Sequence, residues 1–162
     1  MEKVEMNKEM KLSEHFSLGE LTKTNYVTKD GNFPSRVAIE NLTNICENWL
    51  EDLRYSYNTL YSRDRPQDEI PLVINSGYRS PEVNKLAGGA PTSNHLTGCA
   101  VDIHVSGFEQ AIRYASILLD ISEGTHRDYD ELFIEKNKTG SHWIHFAVKP
   151  KDNRRKLGFI KV

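Results

Sequence analysis

The sequence predicts an α+β fold in which a small antiparallel sheet is flanked by helices. Two stretches carry apolar residues at steps of three and four, which is the spacing of amphipathic helices. Several shorter apolar runs, bounded by turn-forming residues, are typical of strands. Helices come first along the chain and strands and helices mix afterwards, an order typical of α+β proteins. The length of 162 residues fits one domain.

The N-terminal part of the chain is predicted to hold an arm and a short helix. Residues 1–11 alternate charges with single apolar residues, which predicts a flexible arm before a single domain over 12–162. The arm has no apolar stretch of the kind found in secretion signals, so we expect no signal peptide. Ser17 and Glu20 have the spacing of a capping box, which predicts that a short helix begins there.

The longest helix is predicted over 36–60. Its apolar residues fall on one face at 3.6 residues per turn, namely Ile39, Leu42, Ile45, Cys46, Trp49, Leu50, Leu53 and Tyr57. We interpret Trp49 as a core residue of this face. A charged loop containing Pro66 is predicted over 62–69, followed by a buried strand over 70–74.

The middle of the chain carries the signals of a short helix and a strand. Ser80 as N-cap and Pro81 at the first helical position predict where the helix begins. The glycine pair at 88–89 predicts where it ends. Residues 91–98 are predicted to form a loop, and residues 100–105 a strand.

The C-terminal part is predicted to hold one helix and three strands. The helix covers 107–121. Its predicted inward-facing residues are Phe108, Ile112, Ala115, Leu118 and Leu119. Strands are predicted over 132–135 and 143–148, joined by a turn at 137–140. A last edge strand is predicted over 157–162.

Composition narrows the classes of function. The formal net charge of −2 lacks the basic excess typical of nucleic-acid-binding proteins, so we expect no nucleic-acid partner. No stretch approaches the roughly 18 apolar residues that a membrane span requires. The two cysteines, Cys46 and Cys99, are too few for a disulfide scaffold. Cys46 falls in the apolar helical face and is interpreted as a small core residue.

Three polar side chains have the chemistry of metal ligands. His95 lies in the loop before a strand, and Asp102 lies on that strand. Because side chains alternate along a strand, Asp102 points away from the apolar face that carries Val101 and Ile103. His145 lies on a later strand, and it can meet the other two if the strands are neighbours. Two imidazoles, a carboxylate and a water form the usual set of a catalytic zinc site.

The spacing of these residues leaves a second reading open, in which they are unrelated polar side chains. His15, His104 and His126 are interpreted as ordinary hydrogen-bonded histidines. His104 nevertheless shares a strand face with Asp102 and would be the fourth ligand of a closed structural zinc site.

Four separated segments carry a resemblance to a known family. They are Ser-x-His-x2-Gly-x-Ala-x-Asp at 93–102, Trp-x-His at 143–145, Ser-Gly-Tyr-Arg-Ser at 76–80, and Leu-Ser-Glu-His-Phe-Ser-Leu-Gly-Glu-Leu at 12–21. Together they resemble the zinc D-Ala-D-Ala peptidases, and the segment at 12–21 resembles the branch common in phage endolysins and their carboxypeptidase relatives. The resemblance covers roughly residues 12–149.

The resemblance implies a fold of the Hedgehog/D-Ala-D-Ala-peptidase type with zinc in a cleft on the sheet. His95, Asp102 and His145 match the family's three zinc ligands. Arg79 matches an arginine expected to hold a substrate carboxylate or to stabilise the oxyanion. Tyr78, in the same segment, is expected to contact substrate.

Two further expectations concern Ser93 and the general base. Ser93 either forms a hydrogen bond near the metal, where it would contact substrate, or caps its loop. The family's base stands three residues before the last ligand, and His142 occupies that position here. Residues three apart on a regular strand point to opposite faces, so His142 requires a bulge or a position before the strand. Glu135 is the second candidate, either as the base or as a residue that orients a ligand histidine.

The resemblance implies a zinc metallopeptidase that hydrolyses peptide bonds in bacterial peptidoglycan, as a D,D-carboxypeptidase or an endopeptidase. Its expected partner is the peptidoglycan stem peptide. The alternative is a zinc-stabilised, non-catalytic binding module on the same fold. With no signal peptide in the sequence, we expect a cytoplasmic protein released to the wall in the manner of a prophage lysin, or a periplasmic one if the chain is trimmed.

Overall fold

The computed structural model describes residues 6–61 and 69–162 and has an α+β architecture. The α-helices are α1 (Leu18–Leu21), α2 (Arg36–Ile45), α3 (Glu51–Tyr61), α4 (Pro81–Leu86) and α5 (Phe108–Thr125). The strands are β1 (Ile74–Ser76), β2 (Ala100–His104), β3 (Glu131–Lys136), β4 (His142–Ala147) and β5 (Lys156–Lys161). Within the described residues, no helix has the length and apolar character needed to cross a membrane.

The five strands form one mixed sheet with the order β1-β2-β4-β3-β5. The β1–β2, β2–β4 and β3–β4 pairs are antiparallel. The expected antiparallel sheet is therefore correct for four strands and wrong for the fifth, because β5 pairs in parallel with β3. Ala147 at the end of β4 and Lys156 at the start of β5 both pair with Glu131 at the start of β3. The segment that connects β4 to β5 therefore crosses the sheet at the N-terminal end of β3. As a result, β5 lies on the other side of β3 from β4 and runs parallel to β3.

The predicted long helix is confirmed as a continuous helical segment with a π-helical turn. This turn, Cys46–Leu50, separates α2 from α3, and the Glu51 N–H donates to the Cys46 carbonyl five residues back. The predicted apolar face is buried except for Ile39, which is partly buried, and Cys46, Leu50 and Leu53 are fully inside. Trp49 packs edge-on against Phe146 of β4, with 5.1 Å between ring centroids. This contact joins the helix to the sheet that carries the polar cluster.

The second predicted helix exists, but its inward face differs from the prediction. Phe108 and Ile112 are about half exposed, at 49% and 47%. The buried positions of α5 are Ala111, Tyr114, Ala115, Ile117, Leu118 and Ser122. Tyr114 meets Tyr57 of α3 edge-on at 4.8 Å between centroids. Phe108, as the first helical residue, instead lies beside the sheet near Phe159.

The predicted strand at 70–74 is displaced in the structure, where β1 begins only at Ile74. Two features keep residues 70 and 71 out of a ladder. The Ile70 N–H donates to the side chain of Asn58 at 2.6 Å, and Pro71 has no N–H to donate. The predicted charged loop over 62–69 falls, except for Glu69, outside the described residues.

The N-terminal segment is hydrogen-bonded to α1 over the residues that the structure describes. The N–H groups of Leu18 and Gly19 donate to the carbonyls of Met10 and Lys8, both at 2.8 Å. These bonds satisfy N–H groups of the first helical turn, which have no partner inside the helix. The predicted capping box is confirmed, since Ser17 accepts from the backbone of Glu20. Residues 1–5 of the predicted arm lie outside the described residues.

Candidate metal centre

The fold brings His95, Asp102 and His145 together. One ligand atom from each lies within 4.8 Å of the others, and all three side chains are buried. Asp102 on β2 is directly paired with His145 on the neighbouring strand β4. His95 comes from the 3₁₀ turn Asn94–Thr97, immediately before β2. Two adjacent strands and one turn therefore build the cluster that the sequence motif predicted.

His95 is fixed by a capped turn and by a backbone carbonyl. The Ser93 hydroxyl accepts from the His95 backbone N–H at 3.2 Å. Gly98 ends the turn with φ 73°, and a Cβ there would lie 2.4 Å from the Ala38 carbonyl oxygen, so only glycine fits. On the ring, Nδ1 lies 2.6 Å from the Gly77 carbonyl oxygen. Because a carbonyl only accepts, Nδ1 carries the proton and Nε2 is left as a lone-pair donor.

Asp102 lies between the two histidines and an arginine. Its Oδ1 is 3.3 Å from His95 Nε2 and 3.1 Å from His145 Nδ1. Its Oδ2 accepts from Arg79 Nη2 at 3.0 Å, and Arg79 Nε donates to Ser76 at 3.0 Å. Burial favours the protonated carboxyl, but the charges and hydrogen bonds of both histidines outweigh it and hold the Asp102 pKa below its usual range.

His145 is held on three sides. Its Nδ1 faces Asp102, and its Nε2 lies 3.1 Å from Oε1 of Glu131. The ring of Phe133 stacks on it, with centroids 5.6 Å apart and planes 15° apart. Burial disfavours the imidazolium, but the hydrogen bonds to Asp102 and Glu131 prevail and raise the pKa of His145 to about 10.

The donor set fits zinc. Two imidazole nitrogens and a carboxylate oxygen are ligands that zinc prefers, and three protein ligands leave a position for water. Within residues 6–61 and 69–162, His95, Asp102 and His145 are the one group of this kind, and His104 is not a member of it. His104 is exposed at the end of β2. The cluster thus has the composition of an open, catalytic site rather than of a closed structural one.

The cluster lies in a cleft of about 660 Å³ whose walls carry further charged groups. Arg79, Lys149 and Arg154 supply positive charge, and Glu131 and Glu135 supply carboxylates. Glu135 pairs with Trp143 across β3 and β4, and both line the cleft. Burial is the main cause that raises the pKa of Glu135 above its ordinary value. A carboxylate with a raised pKa beside a group of candidate metal ligands is suited to accepting a proton.

His142, the first candidate for the base, is on the other side of the sheet. β4 is regular from His142 to Ala147, so His142 and His145 point to opposite faces. The His142 ring lies 5.4 Å from Phe108 and 6.4 Å from Phe159, centroid to centroid. Neither a bulge nor an early strand start brings it to the cleft. The structure therefore does not place His142 in the cleft, and Glu135 is the one of the two candidates for the base that lines it.

The two expected substrate contacts differ in outcome. Tyr78 is 7% exposed and belongs to the hydrophobic core, and it is not among the residues that line the cleft. Ser93 both caps the His95 turn and lines the cleft. Arg79 also lines the cleft, where its guanidinium is paired with the Asp102 carboxylate.

Glu131 is the functional candidate that the sequence analysis missed. Its carboxylate lies within hydrogen-bond distance of His145 Nε2, which is the orienting role that the sequence suggests for Glu135. The signal was present in the sequence, since Glu131, Phe133 and Glu135 share one face of a strand by their spacing of two. Only the pairing of β3 with β4 reveals which of the two carboxylates reaches the histidine.

A comparison with models of protein families identifies the family of this chain. The model of the family described as peptidase M15 matches residues 14–129. The chain belongs to the peptidase M15 family. This is the family of zinc D-Ala-D-Ala carboxypeptidases, so the chain is a metallopeptidase by descent. The chain matches none of the curated proteins with which it was compared.

The family match and the structure support different parts of the site. The matched segment contains Arg79, His95 and Asp102. It ends before β3, so Glu135 and His145 rest on the structure, which places them in the same cleft. The peptidase M15 family consists of zinc peptidases, and the His-Asp-His cluster is a group of side chains that could hold a metal ion.

Proposed function

We propose that this peptidase M15 protein hydrolyses peptide bonds in bacterial peptidoglycan, as a zinc-dependent D,D-carboxypeptidase or endopeptidase. The observation that carries the proposal is a three-ligand cluster on an open cleft with a carboxylate, Glu135, on the same face. A site with three protein ligands leaves room for a water and a substrate oxygen. The family adds the class of substrate.

The proposed mechanism assigns metal binding and proton transfer to different side chains. When bound by His95, Asp102 and His145, zinc supplies Lewis-acid activation of water and of the scissile carbonyl. Glu135 accepts a proton from the attacking water at its carboxylate and returns it to the leaving amine. The raised pKa of Glu135 suits both steps, because it brings the proton affinity of the carboxylate closer to that of its partners.

Arg79 is the group proposed to bind the substrate's charge. Its Nη2 and Nε are used by Asp102 and Ser76, which fixes the plane of the guanidinium. A planar guanidinium with further N–H donors suits a terminal carboxylate or an oxyanion. Lys149 and Arg154 add positive charge on the cleft wall. Stem peptides carry carboxylates, so the charge of the cleft is consistent with this substrate.

A non-catalytic, zinc-stabilised binding module is the competing function. A structural zinc site is normally closed by four protein ligands. The cluster has three members among the described residues, and the exposed His104 is not one of them. This observation favours turnover over a purely structural metal.

Hydrolysis of defined wall fragments tests the proposal. Zinc-loaded protein is incubated with a stem peptide ending in D-Ala-D-Ala and with a cross-linked dimer of stem peptides, and products are identified by mass spectrometry. Loss of the terminal residue identifies a carboxypeptidase, and conversion of dimer to monomer identifies an endopeptidase. A protein that binds zinc but leaves both substrates intact would contradict the proposed function and support the binding module.

A further inference from the structure

We propose that Glu131 is a positioning residue that selects which ring nitrogen of His145 is available to the metal. The proposal rests on the zinc site put forward above. The Glu131 carboxylate accepts the Nε2–H of His145, so that Nδ1 keeps its lone pair toward Asp102 and His95. Glu131 itself touches neither substrate nor metal in this role.

The geometry gives His145 two competing places for its proton. Nδ1 lies 3.1 Å from Oδ1 of Asp102, and Nε2 lies 3.1 Å from Oε1 of Glu131. A neutral imidazole has one N–H, and the hydrogen bond at one nitrogen decides what the other can do. If the proton stayed on Nδ1, that nitrogen could not bind a metal. An acceptor at Nε2 stabilises the tautomer whose Nδ1 has a free lone pair, and Glu131 provides that acceptor.

Glu131 is held firmly enough to act as this acceptor. Asn94 Nδ2 donates to Glu131 Oε1 at 2.7 Å, and Arg154 Nη2 lies 3.6 Å from Oε2. The side chain of Glu131 is 18% exposed. Asn94 is the residue before His95 and belongs to the same 3₁₀ turn. The Asn94–Glu131 bond therefore connects the turn that carries the first ligand to the strand beside the third.

The two histidines have matching arrangements with the nitrogens exchanged. His95 donates its Nδ1–H to the Gly77 carbonyl and turns Nε2 to Asp102. His145 turns Nδ1 to Asp102 and Nε2 to Glu131. A partner on the outer nitrogen fixes the ring orientation and raises the basicity of the ligand nitrogen. Glu131 is thus to His145 what the Gly77 carbonyl is to His95.

The test measures the zinc dissociation constant by competition with a chromophoric chelator at fixed pH. Glu131→Ala is expected to weaken zinc binding about 10- to 100-fold, the usual effect of removing such a partner. Glu131→Gln, whose amide oxygen still accepts from Nε2–H, is expected to lose clearly less. Glu123→Ala, an exposed glutamate on α5, is the matched control and should bind zinc as the wild type does.

A second measurement needs no substitution and reads the tautomer directly. In ¹H–¹⁵N correlation spectra of the zinc-loaded wild type, His145 is expected to carry its proton on Nε2 and to bind the metal through Nδ1. A proton on Nδ1 would overturn the proposal, as would a Glu131→Ala protein that folds and binds zinc with wild-type affinity. If Glu131→Ala does not fold, the spectrum of the wild type still decides. Neither readout depends on hydrolysis, so a failure on wall peptides would refute the proposed substrate and leave this inference standing.

Discussion

The Nδ1 atom of His95 lies 2.6 Å from the carbonyl oxygen of Gly77. This bond joins His95, the first proposed ligand, to the backbone at Gly77, which is closely packed against its neighbours. A Cβ at position 77 would lie 2.2 Å from the Leu21 carbonyl oxygen, and that oxygen accepts from the Tyr78 N–H at 2.8 Å. The end of α1 therefore presses on the segment that orients His95. The metal centre depends on packing that begins far from it in the sequence.

Gly77→Ala is expected to lower both stability and zinc affinity. The added methyl group forces the 76–78 segment away from Leu21, and overpacking of this kind costs about 1–3 kcal/mol. The shift also moves the carbonyl that holds His95. Urea unfolding of metal-free protein and a zinc competition titration measure the two effects. Gly124→Ala is the control, since a Cβ there meets nothing within 4 Å; equal behaviour of the two variants would contradict the account.

Glu135→Gln is expected to lower the rate of hydrolysis while zinc stays bound. The amide cannot accept a proton, and loss of a general base typically costs about 10²- to 10⁴-fold in rate. The metal ligands are unchanged, so zinc content measured by elemental analysis should remain that of the wild type. Turnover by Glu135→Gln at the wild-type rate would remove Glu135 from the mechanism.

His142→Ala separates the two candidates for the base. His142 lies on the opposite face of β4 from His145, among Phe108 and Phe159. Its replacement is expected to leave kcat/KM within a factor of a few of the wild type. A loss as large as that of Glu135→Gln, with the fold and zinc content intact, would restore His142 as the base.

Asp130→Asn is expected to destabilise the protein at neutral pH and much less in acid. Asp130 is fully buried and accepts from Arg154 Nε and Nη2 at 3.0 and 2.7 Å. Burial raises its pKa, but the hydrogen bonds from Arg154 and Asn94 prevail and hold it below the usual range. Such a carboxylate stabilises the fold above the unfolded-state pKa of about 3.9, and the contribution is lost as pH falls below that value.

Urea unfolding at pH 7 and pH 3 measures this effect. The difference between wild type and Asp130→Asn is expected to be about 2 kcal/mol at pH 7, the usual scale of hydrogen bonds to a charged group, and to shrink at pH 3. Asp128→Asn is the control, because Asp128 bonds to Arg155 at an exposed position. A difference independent of pH would show that the charge of Asp130 is not what stabilises the fold.

The members of the His95, Asp102 and His145 cluster could be predicted from the sequence because short-range patterns and motifs identify them. Alternation on β2 puts Asp102 opposite the apolar Val101 and Ile103, which are fully buried. The motif around His95 and the resemblance to zinc D-Ala-D-Ala peptidases supplied the rest. The same alternation gave the warning about His142, three residues before His145. The structure confirms that warning, since β4 has no bulge between the two positions.

The remaining features depend on pairings that no local pattern contains. The role of Glu131 requires the register of β3 on β4, in which Glu131 is paired with Ala147. The parallel strand β5 follows from a connection that passes the start of β3, where the Lys156 N–H donates to the Asp130 carbonyl at 3.0 Å. The prediction for the inward face of α5 was wrong at Phe108 because this residue is the first of the helix. There it lies beside the sheet and remains half exposed.

The most direct test of the central claim is zinc content, measured together with hydrolysis of wall peptides. Wild type and His95→Ala are reconstituted with zinc, dialysed and compared by elemental analysis, and the wild type is assayed with and without a chelator. We expect one zinc per wild-type chain, loss of that zinc in His95→Ala, and hydrolysis that the chelator abolishes and added zinc restores. A wild-type protein that retains no zinc, or hydrolysis that continues in the chelator, would contradict the account.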